Sequence, residues 1–62
     1  MTVWDAIDSA KRDLGKKQQI TWRDVDHVLD KYGKDLDYIH RAQFESDITN
    51  YAAARMAQGD GE

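Results

Sequence analysis

The sequence predicts an all-α fold, a small three-helix domain with a long C-terminal helix, on three observations. Apolar residues recur at helical spacing in three successive segments. The first two segments each open on a threonine followed three residues later by an aspartate, and each closes at a glycine. From Asp35 to Ala57 the chain then contains neither glycine nor proline, the two residues that most often end a helix.

The first helix is read over about 3–14. Thr2 and Asp5 form an acidic variant of the capping box, and Val3, Ile7, Ala10 and Leu14 fall on one stripe before Gly15. The second is read over about 22–32. Thr21 and Asp24 repeat the capping pattern, Trp22, Val25, Val28, Leu29 and Tyr32 form the stripe, and Ile20 is placed to act as a hydrophobic staple. The third is read over about 35–57, with Asp35 and Asp37 in its first turn and Gly59 beyond its end. These elements make one domain over 1–58, and 59–62 reads as a flexible polar tail. Opening on Met1 and closing on that tail, the chain reads as a complete small gene product.

Charges follow the same grammar. Asp5 and Asp8, Asp24 and Asp26, and Asp35 and Asp37 lie near helix starts, while Lys11, Arg12, Lys16 and Lys17 lie near a helix end. Each placement complements the helix dipole for about 0.3–1 kcal/mol.

The third helix carries two apolar stripes on different sides. At about 100° per residue, Leu36, Tyr38, Ile39 and Ala42 straddle one side, whereas Phe44, Ile48, Tyr51 and Ala52 cluster almost opposite. A rise of 1.5 Å per residue makes this helix roughly 33 Å long, nearly twice either predecessor. A simple up-down-up bundle would leave about half of it bare, so the expectation is that helices one and two cover different portions or faces of it, with Lys16 to Ile20 crossing between them. If helix one folds onto the Phe44 stripe, Val3, Ile7, Ala10 and Leu14 supply its cover.

Size and composition narrow the function. A chain of 62 residues sits near the lower limit for a self-sufficient core, where about 3–5 kcal/mol is what a single core supplies. Cysteine is absent, which removes disulfides and thiolate chemistry and leaves association as the natural supplement to stability. A net charge of −3 with 34% charged residues gives no general attraction to nucleic acid. No apolar run approaches a membrane span, and the first residues lack the basic and apolar regions of a signal peptide, so a cytoplasmic location is expected.

Several constellations have bland explanations that outweigh the functional ones. Asp24 with His27 and Asp37 with His40 share an acid-x-x-His spacing found in di-iron bundles, but those sites use glutamates facing a buried core, and His27 lies away from Val25, Leu29 and Tyr32. His40, between Leu36 and Phe44, reads as a half-buried packing residue. The stretch from Asp30 to Phe44 lacks the turn glycine, the first carboxylate and the terminal glutamate of a calcium-binding EF-hand loop. A helix-turn-helix hinged at Gly33 would lead its recognition helix with Asp35 and Asp37, facing phosphates with negative charge. No metal, no cofactor and no catalytic residue is assigned, and no motif of a known family is carried by these residues.

What remains is an aromatic and apolar excess. Trp22 and Tyr32 are accounted for as core. Trp4 flanks the first stripe, Phe44, Ile48, Tyr51 and Arg55 make a ridge, and Asp35 and Asp37 belong to an acidic face with Asp24, Asp26 and Asp30. Aromatics and arginine are the residues most enriched at binding hot spots. Ala52, Ala53, Ala54 and Ala57 add a small-residue surface that another helix can approach. The reading is a non-enzymatic protein-protein interaction module, of the kind that regulates or inhibits a larger protein, binding another protein or its own copy as a homodimer through Trp4, Phe44, Ile48, Tyr51, Arg55, Asp35 and Asp37. The alternative is a small dimeric DNA-binding regulator using the basic end of helix one.

Overall fold

A computed structural model describes the backbone of residues 2–60 and the side chains of residues 2–57. The described residues form three helices: α1 (Val3–Gly15), α2 (Trp22–Gly33) and α3 (Tyr38–Asp60).

Both expected capping boxes are formed. The Thr2 hydroxyl accepts the Asp5 backbone N–H at 3.2 Å, and the Asp5 carboxylate accepts the Thr2 N–H at 3.5 Å. At α2 the corresponding distances are 3.4 Å and 3.0 Å between Thr21 and Asp24. These bonds satisfy N–H groups that a helix start leaves without intrahelical partners.

The start of α3 differs from expectation. The chain makes a turn after α2, closed by the Leu36 N–H on the Gly33 carbonyl at 3.0 Å, so Lys34 and Asp35 lie outside the helix. Asp37 caps α3 instead: its carboxylate accepts the His40 N–H at 2.9 Å, and its carbonyl accepts the Arg41 N–H at 2.8 Å. At the other end α3 runs through Gly59 to Asp60, past the expected stop at Ala57. Gly61 and Glu62 of the expected tail lie outside the described residues.

Glycine does not stop α1 or α2 by turning left-handed. No glycine among the described residues has a positive φ, and the C-caps are Lys16 and Lys34, both right-handed. Gly33 has a packing role: a Cβ there would stand 3.3 Å from Cε2 of Phe44. The absent side chain lets α3 approach the end of α2.

The arrangement is up-down-up, with each helix packed on the other two. Trp4 and His40 line one cleft, and Arg55 bonds the Leu14 carbonyl, so α1 and α3 run in the same direction. Gly33 meets Arg41 and Phe44 while Thr21 and Trp22 share a groove with Arg55 and Met56, so α2 runs opposite to α3. The length mismatch is absorbed by the connections rather than by splitting the cover of α3. Ile20, in the connection between α1 and α2, is buried, and Leu36, in the connection between α2 and α3, packs on the core.

The core takes Val3, Ala6, Ile7, Ala10 and Leu14 from α1, Val25 and Val28 from α2, and Phe44, Ile48 and Ala52 from α3, together with Ile20. Leu29, Tyr32, Leu36, Tyr51 and Met56 pack at its edge. Trp22, accounted for as core by its spacing, is 52% exposed. It is the first residue of α2, where the stripe has not yet turned under the bundle.

Candidate partner-binding surface

The ridge expected to meet a partner is already occupied. Phe44 and Ile48 are fully buried, and Tyr51 is half-buried. The stripe of α1 joins them in one buried cluster, to which it brings Val3, Ala6, Ile7, Ala10 and Leu14. Phe44 and Ile48 are therefore corrected from docking residues to core residues.

Arg55 is also turned inward. Its guanidinium donates to the Leu14 carbonyl at 2.6 Å and the Lys17 carbonyl at 2.8 Å, with a longer contact to the Gln18 carbonyl at 3.5 Å. It caps the C-terminal end of α1 from across the bundle, where helix carbonyls lack intrahelical donors. The Tyr51 ring lies beside it, with the Arg55 guanidinium carbon 5.9 Å and the Lys11 ammonium 5.5 Å from the ring centre. Both residues serve the α1–α3 seam.

The remaining three site residues come together. Trp4, Asp35 and Asp37 line a cleft of about 500 Å³ with Leu36 and His40, where the starts of α1 and α3 meet the turn after α2. Trp4 is 66% exposed. Tyr38 and Ile39, in the first turn of α3 at this same end, are 88% and 74% exposed. The sequence placed them on the earlier stripe of α3 without assigning them a binding role. The signal was the stripe itself, of which Tyr38 and Ile39 stay exposed while Leu36, in the turn before α3, packs at the core's edge.

The acidic face is divided by the fold. Asp24 is held by the Lys17 ammonium at 2.8 Å, which together with the Thr21 backbone keeps its carboxyl below the ordinary value. Asp26 and Asp30 line a groove of mixed sign with Lys34, Arg41 and Glu45. Asp35 and Asp37 stand at the Trp4 end. The backbone N–H of His40, then its ring, holds the Asp37 carboxyl below the usual range, so it is ionised at neutral pH.

Both acid-x-x-His spacings are helix-start features. Asp24 completes a capping box, and Asp37 caps α3 while its Oδ1 also lies 2.7 Å from Nδ1 of His40. His40 itself is exposed rather than half-buried. Elsewhere, the Tyr32 hydroxyl donates to the Asp13 carboxylate at 2.5 Å, with the Lys31 ammonium 3.6 Å away. That bond lowers the Asp13 carboxyl and raises the Tyr32 phenol, and it ties the end of α2 to the end of α1.

The basic cluster is partly spent. Arg12 pairs with Asp8 at 2.9 Å, Lys17 with Asp24, and Lys11 sits over Tyr51. No helix among the described residues is long and apolar enough to cross a membrane. No family model, curated protein or solved structure matches the chain.

Proposed function

We propose that this chain is a cytoplasmic, non-catalytic binding module that regulates or inhibits a larger protein by docking through the shared start of α1 and α3. The observation that carries the reading is the exposure of Trp4, Tyr38 and Ile39 at one end of a bundle in which, among the described residues, the other large apolar side chains, Trp22 excepted, are buried or packed at the core's edge. Keeping three large apolar side chains in water forgoes burial worth roughly 1.5–3 kcal/mol each, a substantial sum for a domain this small. A surface that recovers that burial on contact explains why they are there.

The surface is also rigid where it needs to be. Trp4 stands on a capped helix, and Tyr38 and Ile39 follow directly on the Asp37 cap. Little ordering is then left to be done at the moment of binding.

The test is site-resolved crosslinking in the producing cell. A photo-reactive residue in place of Ile39 is expected to trap a discrete adduct, while the same residue in place of Ala53, exposed farther along α3, traps none. Equal adducts at both positions, or none at Ile39, would remove the docking role from this end.

A further inference from the structure

Three of the four clefts described on the surface contain a cation of the chain's own. Lys34 and Arg41 stand in the groove between α2 and α3, Arg55 in the groove beside Trp22, and Lys16 and Lys17 in the cleft beside His27. The fourth, between Trp4 and the turn before α3, has no lysine or arginine, although it has two carboxylates, Asp35 and Asp37.

We propose that this cleft receives an arginine side chain from the partner protein, an inference that rests on the docking role given above to this end of the bundle. The chemistry matches along the whole side chain. Leu36, half-buried at the cleft, offers apolar surface for an aliphatic stem. The exposed Trp4 indole offers a ring face for a cation, the strongest such face among side chains. Oδ1 of Asp37 takes both bonds from His40, which leaves Oδ2 and the Asp35 carboxylate as acceptors.

Other occupants fit less well. A purely apolar segment would strip water from two carboxylates and return no hydrogen bond. An acidic peptide or a nucleic-acid backbone would meet like charge. A lysine would supply the charge but neither the planar stack nor the forked donor pair.

The test uses the full chain carrying Trp22→Phe, which leaves Trp4 as its one tryptophan, after circular dichroism has shown the helix content unchanged. The probes are two blocked hexapeptides, one alternating leucine with arginine and the other with citrulline, the neutral isostere of arginine, each titrated at low ionic strength against Trp4 emission. The arginine peptide is expected to shift the emission saturably and to bind about fivefold more tightly than the citrulline peptide. Asp35→Asn with Asp37→Ser, where serine keeps a helix cap, is expected to erase that preference. Asp26→Asn with Asp30→Asn changes the net charge equally and is expected to retain it.

Equal affinity for the two peptides would overturn the arginine assignment and leave the end of the bundle as an apolar docking surface. Equal loss in the two double variants would reduce the effect to net charge and overturn it as well. Failure of both peptides to bind overturns it whatever the crosslinking at Ile39 shows. A concentration-dependent emission shift without peptide would place a second copy in the cleft, against the proposal.

Discussion

The Arg55 guanidinium, in the second half of α3, holds the Leu14 carbonyl at 2.6 Å and so closes the C-terminal end of α1 from a neighbouring helix. A hydrogen bond to a charged donor contributes roughly 1.5–3 kcal/mol when its loss strands a partly buried acceptor. Arg55→Ala is therefore expected to lower unfolding free energy by about 2 kcal/mol in urea titration. Arg55→Lys recovers only part of it, because one ammonium cannot span carbonyls that a forked guanidinium reaches together. A change within about 0.5 kcal/mol, the size of an ordinary surface substitution, would show that the cap is decorative.

The two stripes of α3 are expected to respond oppositely to truncation. Phe44→Ala and Ile48→Ala remove fully buried side chains and cost about 3–5 and 2–5 kcal/mol respectively. In a domain whose core supplies about 3–5 kcal/mol in total, each variant should lose its helical circular dichroism near room temperature. Tyr38→Ala and Ile39→Ala should stay within about 0.5 kcal/mol of the parent.

The glycines offer a finer comparison. A Cβ at Gly15 would have only the Tyr51 hydroxyl nearby, at 3.9 Å, whereas a Cβ at Gly33 would press on the buried Phe44 ring at 3.3 Å. Gly15→Ala is expected to stabilise by about 0.5–1 kcal/mol through helix propensity and reduced unfolded-state freedom. Gly33→Ala gains the same terms and gives them back in displaced packing, so thermal unfolding should show no gain. A rise in melting temperature equal to that of Gly15→Ala would mean that Phe44 yields freely.

Stability is expected to form a plateau in pH with a fall on each side. Asp13, Asp24 and Asp37 have folded carboxyl values below the ordinary 3.8, so their contributions are present above 3.8 and are lost as pH falls through the depressed values. The Tyr32 phenol is raised above 10.0, chiefly by its bond to Asp13. Its contribution is present below 10.0 and is lost as pH rises through the folded value. Asp13→Asn should flatten the alkaline flank and reduce the acid one in chemical denaturation. An unchanged alkaline flank would contradict the Tyr32–Asp13 link.

Much of this architecture was legible from the chain because several local signals agreed. Thr2 with Asp5 and Thr21 with Asp24 fixed two helix starts, and the 3.6-residue spacing of Val3, Ile7, Ala10 and Leu14 identified the face of α1 that is buried. The start of α3 was misplaced by three residues because Asp35 and Asp37 are both good caps, and only the turn closed by Leu36 selects the second. The site was half legible. Spacing showed two apolar stripes on α3 but could not say which one α1 would cover. In the fold that choice goes with Arg55, which reaches the Leu14 carbonyl only because α1 lies on the Phe44 side. With the Phe44 stripe inside, Tyr38 and Ile39 are left exposed.

The four isoleucines permit the most direct measurement. Ile7, Ile20 and Ile48 are buried, at 6%, 8% and 0% exposure, and Ile39 is 74% exposed. With isoleucine methyl groups labelled and a neutral soluble paramagnetic agent added to dilute protein, the Ile39 methyl resonance is predicted to broaden strongly while the other three stay sharp. An Ile48 resonance that broadens as readily as that of Ile39 would reopen the buried stripe and contradict the placement of the docking surface.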